Sequence, residues 1–225
     1  MSNVGFRIFK NIKRPAMELV EAFKNIPTPN IADNMNRFFC VDAGIKPMNT
    51  SKMLGTAFTV RSRTADNLLF HKALDMAQPG DIIVVDVQGD LTNSLAGEIM
   101  ISYAMKRGLA GLLIDGAIRD LGSVRELKFP VFARGANPRG PYKDGPGEIN
   151  VPIACGGVIV NPGDIIVGDE DGVVVINPID APEILAKSKE TYVKEKEILK
   201  AIEDGSLDRA WVDRLLQEKG CEIID

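Results

Sequence analysis

The chain is short of the residues that usually announce a reactive centre. It has one histidine, His71, and three cysteines, Cys40, Cys155 and Cys221, in 225 residues. No CxxC and no Cys/His spacing occurs, so a zinc site built from sequence-local ligands is excluded. An odd set of well-separated thiols argues against a disulfide framework and for a reducing cytoplasm. No apolar run is long enough to span a membrane, and the first residues lack the apolar core of a signal peptide. A basic excess is also missing. The 27 basic and 31 acidic residues leave a formal charge of −4, which disfavours nucleic acid as the main partner. The lysine-rich stretch from Lys187 to Lys200 is interleaved with Glu190, Glu195 and Glu197, as on a solvated helix face.

What remains is an apolar fraction of 45%, enough for one large domain with an extension. Residues 15–25 read as a weak amphipathic helix. Thr28-Pro29 reads as a helix start, with Thr28 as the cap. Residues 55–61 alternate like a strand, and residues 67–76 read as a helix. Ile82 to Val87 is a nearly continuous apolar strand, which implies cover on both faces. Residues 94–107 read as a helix ended by Gly108, and Leu112 to Ile114 as a strand ending in Asp115-Gly116. Short strands follow at 131–134, 158–160, 165–167 and 173–176, separated by turn residues. Pro162-Gly163-Asp164 repeats the pattern of Pro79-Gly80-Asp81, each before a buried strand. From Asp180 the chain reads as a long charged helix, then Gly205, then a second helix over 207–219. This divides the chain into a domain at 1–180 and a helical tail at 181–225. The tail has too little apolar content for a core of its own and is expected to dock on a neighbouring subunit.

Chemistry concentrates between Gly97 and Gly135. Glu98 lies in the first turn of a helix, where backbone N–H groups lack partners and favour anions. Arg119-Asp120 follows the next strand. Asp offers hard oxygens to a divalent cation, and Arg a planar fork to a carboxylate or polarised carbonyl. If the helix start faces the strand end, one pocket holds amides, a guanidinium and two carboxylates. The alternative is a helix-dipole acid and a surface ion pair. The Gly/Pro loop with Arg134, Arg139 and Lys143 could cradle a phosphate, but reads better as a structural crossover. His71 reads as a packing or surface residue, Asp33 as helix surface and Cys155 as buried. Lys106 and Lys143 have polar or charged neighbours, which does not suit a Schiff-base lysine.

These motifs together resemble the RraA-like family. They run from Pro79-Gly80-Asp81 through Gly97-Glu98, Asp115-Gly116, Arg119-Asp120, Ala133-Arg134-Gly135 and Gly163-Asp164 to Asp171-Gly172. The 4-hydroxy-4-methyl-2-oxoglutarate aldolase branch is the most similar. The specific part is an acid, twenty residues, then Arg-Asp; here residues 99–118 separate Glu98 from Arg119. The family commonly has Asp where this chain has Glu98. The resemblance implies an α/β fold, a three-layer β/β/α sandwich of the swivelling type, with a C-terminal helical extension. It implies homotrimers or homohexamers with sites between subunits.

The resemblance also implies roles. Asp120 would ligate Mg²⁺ or Mn²⁺, and Glu98 would hold a metal-bound water. Arg119 would bind the pyruvyl oxygens. The amides of Gly97, Glu98, Ile99 and Met100 would hold the carboxylate. A glutamate from a neighbouring tail, here Glu195 with Glu197 as the alternative, would assist proton transfer. The implied reaction is class II aldol cleavage of a small 4-hydroxy-2-oxo acid to pyruvate through a metal-bound enolate. Such an ion stabilises the enolate as a Lewis acid, so oxaloacetate decarboxylation is a plausible second activity. Other members bind and inhibit a ribonuclease and are not enzymes. They typically lack the Asp at position 120 and the charged tail. A methyl-donor site, for which other members have been named, finds no glycine-rich nucleotide loop here.

Overall fold

The computed structural model describes residues 3–50 and 52–224. In chain order its elements begin with β1 (Phe6–Ile8), α1 (Met17–Glu21), α2 (Thr28–Asp33), β2 (Lys46–Pro47), β3 (Met53–Ser62) and α3 (Leu68–Met76). There follow β4 (Asp81–Asp86), β5 (Ser94–Ala96), α4 (Glu98–Lys106), β6 (Gly111–Ile118), α5 (Leu121–Glu126), β7 (Val131–Ala136) and β8 (Gly147–Ile149). The last are β9 (Ile153–Cys155), β10 (Val158–Val160), β11 (Ile165–Asp169), β12 (Gly172–Ile176), α6 (Ala181–Glu203) and α7 (Ala210–Glu218).

The main sheet runs β1-β8-β3-β4-β6-β7-β2, and its centre, β3, β4, β6 and β7, is parallel. Period-2 alternation sends neighbouring side chains of these strands to opposite faces. Phe58, Val60, Ile83, Val85, Leu112 and Ile114 pack with α3 and α4 residues such as Phe70 and Ile101. Ala57, Ile82, Val84, Leu113 and Phe132 pack instead with β9, β10, β11 and β12 through Ile153, Val160, Ile166 and Val175. The result is helices, a central sheet and a β layer, in that order, the β/β/α arrangement expected. It also explains the unbroken apolar run of β4: every residue from Ile82 to Val85 is fully covered. β11 belongs to both β layers, since it pairs antiparallel with β3 and with β12.

The two Pro-Gly-Asp segments make the same turn. Gly80 and Gly163 have positive φ, +87° and +98°, which a side chain would strain. Asp81 accepts the Gln78 N–H at 2.8 Å, and Asp164 the Asn161 N–H at 2.7 Å. Each turn delivers a strand to β3, one parallel and one antiparallel.

Three local expectations are corrected. Thr28 is the first residue of α2, not its cap; its N–H and hydroxyl both go to the buried Asp169, at 2.9 and 2.6 Å. Ser94 to Ala96 is a strand, because this segment pairs in parallel with the end of β6, and the helix begins only at Glu98. β6 does not end at Asp115-Gly116 but continues to Ile118 past an irregularity after Ile114. Asp115 is therefore a buried strand residue. It accepts the Gly156 N–H at 2.7 Å and pairs with Arg134, which also reaches Asp42 at 2.8 Å. That commitment takes Arg134 away from any phosphate.

The first half of α6 packs on its own chain. Ala181, Ile184 and Leu185 join Phe23 and Ile31 beside β11 and β12, and Asn34 bonds Thr191 at 2.9 Å. Farther on, Val193, Leu199 and Ile202 are exposed, and α7 has no buried residue. No described helix is long and apolar enough to cross a membrane.

Candidate functional site

The register of β5 against β6 sets Ala96 beside Ile118. The two segments that follow, Gly97-Glu98 and Arg119-Asp120, must therefore lie together. The Arg119 N–H donates to the Ala96 carbonyl at 2.9 Å. Asp120 then adopts a left-handed conformation, φ 58° and ψ 37°, that most side chains avoid and Asp tolerates. This turn aims its carboxylate back at α4, where Oδ2 accepts the Glu98 N–H at 3.0 Å. Arg119 Nε lies 3.7 Å from the same oxygen, and the two side chains are 43% and 41% exposed. No hydrogen bond falls on Asp120 Oδ1 among the described residues. Gly97 makes the approach possible: a Cβ there would collide with the Asp120 carboxylate and with Arg119 Cγ.

A cavity of about 150 Å³ opens on this junction. Gly97, Ile99, Met100, Arg119 and Asp120, which the sequence singled out, are among its lining residues. Glu98 departs in part. Its N–H is spent on Asp120, and its exposed side chain is not in the cavity wall. The first-turn amides of Ile99 and Met100 remain without intrahelical partners. Glu195 is not brought to this cavity within one chain; its carboxylate accepts the Asn30 side-chain N–H at 2.6 Å. Asp33 pairs with Arg37 on the helix surface, and Cys155 is fully buried, its thiol pushed well up by that burial.

Sequence reasoning missed one wall. Asn67, just before α3, and His71, in its first turn, face the same cavity with Pro141 and Lys143 from the loop between β7 and β8. That loop is tied down by the Arg139 carbonyl, which accepts from Ser94 N and Oγ, and by Asn67 N donating to the Tyr142 carbonyl. It is a wall of the site rather than a plain crossover. Burial pulls the His71 imidazole below its usual value; nearby Lys143 adds to this and Asp75 opposes it. Among the described residues no three His, Cys, Asp or Glu groups gather as a metal cage. Among the described residues Asp120 is the one carboxylate lining this cavity.

Comparison with known proteins places the chain in a family. The RraA-like family profile, described as Aldolase/RraA, matches residues 28–175. A Halalkalibacterium halodurans protein provisionally named 4-hydroxy-4-methyl-2-oxoglutarate aldolase is 39% identical over 202 residues, 89% of this chain and 96% of its own. The crystal structure of Streptomyces coelicolor RraAS2, described as an unusual member of the RNase ES inhibitor RraA family, superposes with a TM-score of 0.75. It is 29% identical and covers 83% of this chain and 98% of that one. The RNA-processing inhibitor RraA from Thermus thermophilus superposes with a TM-score of 0.62 at 30% identity, over 67% of this chain and 92% of that one.

Proposed function

The chain belongs to the RraA-like family, and we propose on that footing that it is a divalent-cation-dependent aldolase. It cleaves 4-hydroxy-4-methyl-2-oxoglutarate-type acids to pyruvate and decarboxylates oxaloacetate as a second activity. The observation that carries this reading is the Asp120 carboxylate, turned into the cavity and steadied by the Glu98 N–H, with Arg119 beside it.

The donor set fits Mg²⁺ or Mn²⁺. Such a cation binds readily through one or two carboxylates and completes its shell with substrate oxygens and water. Asp120 offers a hard oxygen, Oδ1, free of other bonds, while the absence of a multi-ligand cage among the described residues argues against zinc. When bound, the cation supplies Lewis acidity at the 2-oxo group.

The chain's own groups do the rest. Arg119 presents parallel donors to the 2-oxo acid and places fixed positive charge where negative charge develops on cleavage. The amides of Ile99 and Met100 hold the carboxylate at the start of α4. Glu98, exposed in the first turn of α4, would hold a water of the bound cation. Glu195, carried on α6 of a neighbouring subunit in a trimer or hexamer, assists proton transfer. The three unpaired thiols suit a cytoplasmic setting.

The competing reading is a non-catalytic ribonuclease regulator, favoured by the names of two structural neighbours. Asp120 and the helical tail support the enzyme. Pyruvate release from 4-hydroxy-4-methyl-2-oxoglutarate and from oxaloacetate, followed with a coupled dehydrogenase, tests it. Absence of release from both, with ribonuclease inhibition instead, would favour the regulator.

A further inference from the structure

Asp66 carries a fully buried carboxylate that has no part in the chemistry described above. It stands in the turn between β3 and α3, directly after Ala65, whose φ of +61° is a left-handed conformation that alanine rarely adopts. Burying a carboxylate is costly unless hydrogen bonds compensate. Here both oxygens are used, each for a different element. Oδ1 accepts the N–H of Leu68, the first residue of α3, at 2.9 Å. Oδ2 accepts the N–H groups of Asp144 and Gly145, in the loop between β7 and β8, at 2.6 and 3.0 Å. Arg63 Nη2 lies 3.7 Å from the same oxygen.

The loop is anchored on both sides of Lys143. Before it, the Tyr142 N–H donates to the Ala65 carbonyl at 2.8 Å, and the Tyr142 carbonyl accepts the Asn67 N–H at 3.0 Å. After it come the two bonds to Asp66. Lys143 is thus held between the anchors, and it lines the cavity with His71. Hydrogen bonds to a carboxylate are roughly twice as strong as neutral ones, so one side chain largely decides where this loop closes.

We propose that Asp66 is a positioning residue, whose carboxylate latches the β7–β8 loop to the start of α3 and so holds the Lys143 charge at the cavity. Asp66 touches no substrate. Arg119 and Asp120 are placed separately, by the register of β5 on β6, so the latch governs capture of an anionic substrate and not the chemical step. That kinetic consequence rests on the aldolase reading; the latch itself does not.

His71 is the chain's one histidine, so its imidazole resonance, titrated by NMR, reports on the latch directly. The charged groups near it are Asp75 of its own helix, Lys143 of the loop, and Arg119 and Asp120 of the same cavity. Burial and then Lys143 hold its titration low, against Asp75. Asp66→Ala should raise the midpoint towards the ordinary value of about 6.5, because the freed loop takes Lys143 away and admits water. Loss of a carboxylate with the loop still in place would do the reverse, since a missing negative charge lowers an imidazole value. Lys143→Met, at an exposed position, should also raise the midpoint, and adding it to Asp66→Ala should move it no further. Under the aldolase reading, KM for oxaloacetate should rise about three- to tenfold in Asp66→Ala while kcat stays within about twofold. An unmoved or lowered His71 midpoint in folded Asp66→Ala, or a fall in kcat at unchanged KM, would overturn the latch. Should that variant not fold, the wild-type protein decides. Its Asp144 and Gly145 amides should exchange with solvent about a hundredfold more slowly than open loop amides, and unprotected exchange would overturn the latch. Titration and exchange are both read without turnover, so failure here is distinct from failure of the aldolase reading.

Discussion

The carboxylate of Asp120 accepts the backbone N–H of Glu98 at 3.0 Å, and this bond joins the end of one strand to the start of the next helix. It fixes one oxygen of Asp120, and among the described residues no hydrogen bond falls on the other. Arg119 supplies no hydrogen bond in return, only charge at 3.7 Å. The pair is thus held by backbone geometry rather than by mutual neutralisation.

Changes to this pair should cost activity and not stability. Asp120→Asn keeps a residue that tolerates positive φ but removes the charge, and kcat should fall about a hundredfold or more. Arg119→Lys should be nearly as harmful as Arg119→Ala, because an ammonium does not present two parallel donors. Circular dichroism should show native folding in all three. Near-normal turnover of Arg119→Lys would remove Arg119 from the chemistry.

Gly97→Ala separates fit from charge. Gly97 has ordinary extended backbone, φ −145°, so alanine adds no backbone strain. Its Cβ would instead push the half-exposed Asp120 carboxylate off the Glu98 N–H and displace the Arg119 side chain. A displacement near 1 Å at such a site costs on the order of a hundredfold in rate. The melting temperature should change little while kcat drops. A variant as active as the wild type would mean that the close approach is incidental.

Acid should act through His71. Its value is depressed by burial first and by Lys143 second, against the pull of Asp75. The unfolded chain then binds more protons than the folded one between the depressed value and about 6.5. Stability should therefore fall as pH drops through that window and stay flat in this respect above it. Thermal melts of wild type and His71→Gln across pH 5 to 8 should differ only at the acid end. A difference that grows towards alkaline pH would contradict this sign.

How much of this was legible in the sequence depends on how local each cause is. The apolar run of β4 and the twin Pro-Gly-Asp turns are set by neighbours in sequence, and they stand as read; Arg119 and Asp120 lie side by side for the same reason. Ser94 to Ala96 looks helical by propensity and becomes a strand only because β6 offers it an edge. Thr28 looks like a cap, yet its partner Asp169 is 141 residues away. Asn67, His71 and Lys143 come from an intervening helix and a distant loop, so no spacing pattern reveals that they share a wall. The role proposed for Glu195 depends on a second chain and is equally invisible to spacing.

That role is open to complementation. Inactive Asp120→Ala subunits mixed with inactive Glu195→Ala subunits, under conditions of proven exchange, should regain part of the activity. General acid–base help from a placed carboxylate is worth about a hundred- to ten-thousandfold, so even sparse mixed sites are measurable. A fully active Glu195→Ala variant, or exchange without recovery, would assign Glu195 to its bond with Asn30 alone.

The central claim is that an oxygen-bound divalent cation at Asp120 enables carbon–carbon cleavage without a Schiff base. Pyruvate release from 4-hydroxy-4-methyl-2-oxoglutarate, measured after exhaustive chelation and again after addition of Mg²⁺ or Mn²⁺, tests it most directly. The account predicts no release in chelator, restoration by either cation, and no restoration in Asp120→Ala. Full turnover in excess chelator, with irreversible inactivation by borohydride in the presence of pyruvate, would contradict it and point to a lysine instead.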